Sequence, residues 1–250
     1  MSALVGKVVI VTGGSSGIGR ATALGLAGRG ARVLITGRRE ALLTDVATEH
    51  ANIVPFVADA ARPDDAKLTI ARAVSLWGRL DAVVNNAGAG AILSLSDATE
   101  DQIASIFSVN VFGPSLLAAA ALPHLARSKG SIVNVSSTFG RKAAAGLSHY
   151  AASKAALEHL TRCWALELAP QGIRVNAVAP GPTDSNALTG MMGLSPEAAA
   201  AVEAEERARI PLNRRGAPDD IARWIISLAG PEADWVTGQV ITVDGGLSVS

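Results

Sequence analysis

The chain has 250 residues, enough for one large α/β domain or two small ones, and its 22 basic residues balance 22 acidic ones. A net formal charge of zero, with only 18% of residues charged, argues against a nucleic-acid binder or a protein held on anionic membranes. The single cysteine, Cys163, excludes an internal disulfide and a cysteine-based zinc site, and a reduced cytoplasm is the simplest setting for it.

The first residues run straight into a strand pattern, and no apolar stretch is read as approaching the roughly 18 residues of a membrane span, so a soluble, unexported, cytoplasmic protein is expected. Short β-branched runs then alternate with longer segments of helical spacing. They predict seven strands, at residues 8–11, 33–35, 53–57, 82–84, 132–135, 175–178 and 240–243. Runs such as Lys7-Val-Val-Ile-Val-Thr12 are apolar without alternation, which suits strands buried on both faces, and the intervening helices supply the crossovers that parallel pairing needs. The expected fold is therefore α/β: one Rossmann-type, doubly wound parallel sheet with helices on both faces, spanning residues 1–250 as a single domain. Asp64-Asp65 and Ala217-Pro218-Asp219-Asp220 are helix-start signals. The least strand-like stretch, residues 183–212, is expected to be a substrate-loop insertion, with a loop at 186–193 and a helix at 196–210.

At the end of the first strand lies Thr12-Gly13-Gly14-Ser15-Ser16-Gly17-Ile18-Gly19, followed by a helical pattern. Glycines let backbone approach a pyrophosphate, and the free N–H groups and dipole of the next helix make an anion site there. Gly13, Ser15, Ser16, Gly17, Ile18 and Gly19 are the candidate phosphate-binding residues. Gly13-Gly14-Ser15-Ser16-Gly17 also satisfies the Gly-x-Ser-x-Gly elbow of serine hydrolases, with Ser15 as nucleophile. That chemistry needs a late histidine, yet the four are His50, His124, His149 and His159, and the elbow falls on the first strand with no earlier loop to supply an oxyanion donor. Hydrolase therefore ranks well below nucleotide binding.

The second strand ends Thr36-Gly37-Arg38-Arg39, where an NAD-preferring fold places an acid on the adenosine ribose. There is no acid here. Gly37 leaves room, and Arg38 can pair its planar guanidinium with a 2′-phosphate, which favours NADP(H).

Three further segments arrive in order: Asn85-Asn86-Ala87-Gly88 after the fourth strand, Ser136-Ser137 after the fifth, and Tyr150-Ala-Ala-Ser-Lys154 opening a helix. Tyr150 and Lys154 are four apart and project from one helix face. A free phenol has a pKa of about 10, and a nearby ammonium favours its phenolate by Coulomb attraction. Tyr150 can then donate a proton to a carbonyl oxygen or take one from an alcohol, while Ser137 hydrogen-bonds the same oxygen.

Together with the glycine-rich turn, these segments resemble the short-chain dehydrogenase/reductase family, and the likeness runs from Lys7 to Gly246. The resemblance implies a seven-stranded parallel sheet and a hydride transfer between NADP(H) and a small-molecule carbonyl or secondary alcohol, as in 3-oxoacyl and ketone reductases. It implies Ser137, Tyr150 and Lys154 as the catalytic set, with Asn110 holding a water-linked proton relay to Lys154. It also implies Lys154 on the nicotinamide ribose, Asn86 in the cofactor cleft, Asp59 near the adenine, and Pro180, Gly181 and Thr183 beside the nicotinamide. No metal is implied. Apolar residues at 220–229 and 239–246, with the Tyr150 helix, are surfaces through which the resemblance implies a homotetramer. A catalytically silent NADP(H)-binding sensor or scaffold is the alternative from another class, and the intact trio argues against it. Loops 89–96, 138–148 and 184–212 are expected to set substrate identity. His149 is read as turned to another helix face, Cys163 as a small buried residue, and Trp164, Trp224 and Trp235 as packing or interface residues.

Overall fold

Alternate residues of the first apolar run part to opposite faces of a sheet. In the computed structural model, which describes residues 4–250, β1 (Val8–Thr12) sends Val9 and Val11 into one hydrophobic cluster and Val8 and Ile10 into another. Both faces of β1 are thus covered, which is why its sequence shows no alternation.

The other strands are β2 (Arg32–Gly37), β3 (Ile53–Val57), β4 (Ala82–Asn85), β5 (Ser131–Val135), β6 (Arg174–Pro180) and β7 (Val240–Val243). All seven pair in parallel, in the order β3-β2-β1-β4-β5-β6-β7, so every predicted strand is present. The helices are α1 (Gly17–Ala27), α2 (Glu40–Thr48), α3 (Pro63–Trp77), α4 (Glu100–Phe107), α5 (Gly113–Ser128), α6 (Ser148–Leu168), α7 (Pro196–Arg209) and α8 (Pro218–Ala229). One layer packs Leu26, Leu43, Ile221 and Ile225 from α1, α2 and α8 on the sheet; the other packs Ile70, Leu117, Leu125 and Leu168 from α3, α5 and α6. Pro63 and Pro218 open α3 and α8 with acidic residues in the first turn, as expected from their start signals.

The chain begins mid-sheet at β1, travels outward to β3, and returns to β4 on the other side of β1. The carboxyl ends of β1 and β4 therefore flank a topological switch point, where open α/β sheets hold their ligands.

Two expectations need correction. Residues 103–126 carry no acidic or basic side chain apart from His124, and α4, a π-helical turn at Ser108–Phe112 and α5 run on as one helical stretch, Glu100–Ser128, that is long and apolar enough to cross a membrane. In the sequence Asn110, Gly113, Pro114 and Pro123 break up the apolar run and hide its length. Here Leu117, Ala118, Ala121 and Leu125 bury one face of it on the sheet. The second correction lies in the insertion between β6 and β7. Its predicted loop contains a π-helical turn, Ala187–Met191, while α7 follows in the expected place behind a Ser195 cap that accepts from the Ala198 N–H at 3.2 Å. Arg215 is buried and ties the insertion down, donating to Thr183 O at 2.7 Å and lying 2.8 Å from Glu203 of α7.

Candidate active site

The glycine-rich turn is shaped by close approach. A Cβ on Gly19 would stand 2.2 Å from Gly13 O, and one on Gly13, whose φ is +66°, would stand 2.9 Å from Asn86 Nδ2. Neither position admits a side chain. Asn86 Nδ2 donates to Thr12 O at 2.8 Å and Gly13 O at 3.2 Å, while Thr12 Oγ1 accepts from the N–H groups of Asn86 and Ala87, both at 3.0 Å. Asn86 thus clamps the turn to the end of β4. The first helical bond of α1 runs from Arg20 N–H to Ser16 O at 3.1 Å, which leaves the amides of Gly17, Ile18 and Gly19 without a partner inside the helix. This cradle, with its aligned N–H groups, fits a pyrophosphate. Ile18 packs against the core beneath it.

At the rim, Arg38 is exposed, and a Cβ on Gly37 would stand in ordinary contact with Leu43 Cδ2 at 3.5 Å and Ser15 Oγ at 3.8 Å. Asp59 caps its own loop, its Oδ1 accepting from the Ala61 N–H at 3.0 Å. Pro180 closes β6, and Gly181 lies so near Asp244 that a Cβ would meet Asp244 Cβ at 2.6 Å. Thr183 is buried, with its hydroxyl turned back to Gly181 O at 2.9 Å.

Ser137, Tyr150, Lys154 and Asn110 are all buried, the last completely. Lys154 Nζ donates to Val135 O at 2.9 Å and sits 5.9 Å from the centre of the Tyr150 ring. Asn110 lies in the π-helical turn and is fixed by three bonds: Oδ1 accepts from Ala89 N–H at 2.9 Å, and Nδ2 donates to Ala89 O at 2.8 Å and Ser153 Oγ at 2.9 Å. Asn110 Oδ1 and Lys154 Nζ both lie 3.6 Å from the point where a Cβ on Gly88 would stand. Asn110, Tyr150 and Lys154 therefore lie close together beside Gly88, near the carboxyl ends of β4 and β5.

The electrostatics differ from the expectation. Burial pushes the Tyr150 phenol above its usual range, and the neighbouring Ser137 side chain pulls the other way without winning. Burial also pushes Lys154 down to about 8. In the cofactor-free protein the low dielectric around both groups thus opposes both charges, and the ammonium does not carry Tyr150 to phenolate.

Parts of the loops expected to set substrate identity lie beside Tyr150 and against one another. A Cβ on Gly90 would meet Met192 Cε at 2.9 Å and Tyr150 Cδ2 at 3.0 Å, so the insertion reaches Tyr150. Loop 89–96 also meets loop 138–148 where Leu93 N–H donates to Gly146 O at 2.8 Å. No local motif marks Met192; only the folded path of the insertion brings it in. Cys163 is exposed, correcting its reading as buried, because it lies on the solvent side of α6. Trp164 packs on the core, whereas Trp224 is half exposed and Trp235 almost wholly exposed.

A family model described as enoyl-(acyl carrier protein) reductase matches residues 13–248. The chain is 39% identical to a 3-oxoacyl-[acyl-carrier-protein] reductase of Thermotoga maritima, over 98% of this chain and 99% of that protein. Among solved structures it is similar to a short-chain type dehydrogenase/reductase from Mycobacterium marinum, with a TM-score of 0.91 at 33% identity, covering 99% of this chain and 97% of that one. A 3-ketoacyl-(acyl-carrier-protein) reductase from Brucella melitensis, complexed with NADH, also gives 0.91, at 32% identity and over 98% and 99% of the two chains.

Proposed function

The chain belongs to the short-chain dehydrogenase/reductase family, and on that footing we propose that it moves a hydride between NADP(H) and a carbonyl or secondary alcohol. The observation that carries the reading is the burial of Ser137, Tyr150 and Lys154 in one cleft beside a phosphate-shaped turn. When bound there, the nicotinamide supplies or accepts the hydride. Tyr150 gives its proton to the carbonyl oxygen in reduction and takes the hydroxyl proton in oxidation. Ser137 hydrogen-bonds that oxygen and stabilises its developing charge. Lys154 holds the ribose and lends its charge to the phenol, and Asn110 orders the proton path behind it. Residues 183–212, which bring Met192 to Tyr150, shape the substrate pocket. The test is a panel of ketones, secondary alcohols and acyl thioesters, acetoacetyl-CoA among them, assayed with both cofactors; no turnover with any would overturn the assignment.

NADPH is the preferred partner in this proposal because Gly37 and the exposed Arg38 stand where an acid would select NADH. The Brucella relative was crystallised with NADH, so family membership alone leaves the choice to these second-strand residues. A charge-assisted hydrogen bond contributes about 1.5–3 kcal/mol, so Arg38 should give roughly a ten- to hundredfold preference in kcat/KM. Gly37→Asp with Arg38→Leu should reverse it, and rising salt should weaken NADPH binding more than NADH binding. Equal efficiency with both cofactors at low and high salt would mean that Arg38 points to solvent.

The same proposal includes a homotetramer. Leu116 and Leu166 are exposed on α5 and α6, and Trp224, Trp235 and Leu212 are exposed around α8 and the approach to β7. Exposed apolar residues on two parts of one subunit suit two different two-fold contacts, which together close a tetramer. Light scattering should give about four times the 25.4 kDa subunit mass; a single subunit at micromolar concentration would reject the assembly.

A further inference from the structure

Glu158 is buried as deeply as the catalytic trio, yet the reaction described above gives it no task. It lies on α6 one helical turn beyond Lys154 and two beyond Tyr150, on the same face. A carboxylate in such a place is costly unless it is paired and hydrogen-bonded. Its Oε1 accepts from Ser136 Oγ at 3.0 Å, and its Oε2 accepts from Arg141 Nε at 2.9 Å, with Arg162 Nη2 at 3.5 Å. Among the described residues, two cations pair with it: Arg141 from the loop after β5, and Arg162 from its own helix.

Ser136 and Arg141 are the two ends of a tight loop, and Ser137 lies between them, capping the short helical turn Thr138–Gly140. The loop wraps closely on the carboxylate. A Cβ on Gly140 would stand 2.9 Å from Glu158 Oε1 and 3.1 Å from Ser136 Oγ. Ser136 Oγ also lies 3.3 Å from Lys154 O, so the same few atoms join the loop to the helix that carries Tyr150 and Lys154.

We propose that Glu158 is a positioning residue: one carboxylate grips both ends of loop 136–141, fixes that loop on α6, and so sets the Ser137 hydroxyl against Tyr150. The proposal rests on the assignment of Ser137 and Tyr150 to the reaction. A merely structural ion cluster would stabilise the fold without controlling that contact.

The sequence provides a direct reporter, because Tyr150 is the only tyrosine in the chain. Its ionisation can be followed by the ultraviolet absorbance of the phenolate in the cofactor-free protein, without any substrate. The Ser137 side chain pulls the phenol pKa down, so Ser137→Ala should move the titration upward in pH. Glu158→Ala should move it in the same direction. The double variant Ser137→Ala/Glu158→Ala should titrate where Ser137→Ala does, because both changes break one contact. Should Glu158→Ala fail to fold by circular dichroism, Ser136→Ala removes the other half of the same hydrogen bond and must give the upward shift. An unmoved titration in the folded Glu158 or Ser136 variant would overturn the proposal. So would shifts that add in the double variant, or no shift in Ser137→Ala itself. Because the readout needs no turnover, its failure is separable from failure of the functional assignment, which the substrate panel and Tyr150→Phe address.

Discussion

Tyr150→Phe is expected to lower kcat by about 10²- to 10⁴-fold, the range that a positioned proton donor contributes, while NADPH binding stays nearly unchanged. The substitution deletes one oxygen from a side chain that is already buried, so the packing around it survives. The direction of the pKa change supports the donor role. Burial raises the phenol, which keeps Tyr150 protonated at neutral pH and ready to give its proton to a carbonyl oxygen. Reduction should therefore hold through neutral pH and decline as the phenol ionises at high pH, whereas oxidation, which needs the phenolate, should rise with pH. Steady-state rates with a ketone from the panel, together with a fluorescence titration of NADPH, separate the two effects. Full turnover in the Phe variant would remove Tyr150 from the chemistry.

Much of this geometry was legible before any coordinates. The unalternated run at residues 8–11 implied a strand buried on both faces, and β1 is one, because a parallel sheet needs its crossover helices on each side. Gly13 and Gly19 are read from the sequence as letting backbone approach a pyrophosphate, and the folded chain adds a second reason for glycine there: a Cβ would collide with Asn86 Nδ2 or Gly13 O. The four-residue spacing of Tyr150 and Lys154 placed them on one helix face. Spacing carries neighbours along a helix but not dielectric, which is why the phenol was expected to ionise early and instead is held neutral by burial. The Glu158 contacts were invisible for a different reason: Ser136 and Arg141 lie 22 and 17 residues away, and only the β5–α6 crossover brings them together. Cys163 was misplaced because helical spacing alone does not say which face of α6 meets solvent.

Lys154→Met is expected to abolish turnover, weaken cofactor binding, and yet make the cofactor-free protein more stable near neutral pH. Lys154 is an ammonium in a dry site whose hydrogen bond to Val135 O at 2.9 Å is not an ion pair. The displacement of its pKa from 10.5 to about 8 corresponds to about 3 kcal/mol against the charged form. Met fills a similar unbranched path without the charge, and losing the bond to Val135 O returns about 1 kcal/mol, so a net gain of about 2 kcal/mol is expected. The sign with pH follows from proton counting. Below about 8 both folded and unfolded states bind the proton and the penalty is complete. Between about 8 and 10.5 the unfolded chain binds a proton that the folded protein does not, so the wild type gains stability relative to the variant as pH rises. Urea midpoints of the two proteins should therefore lie furthest apart near neutral pH and converge toward the alkaline end. A variant no more stable than the wild type at neutral pH would show that the fold already compensates the buried charge. A variant that gains stability and loses reaction together would place Lys154 among residues kept at the expense of stability because the chemistry needs an ammonium there.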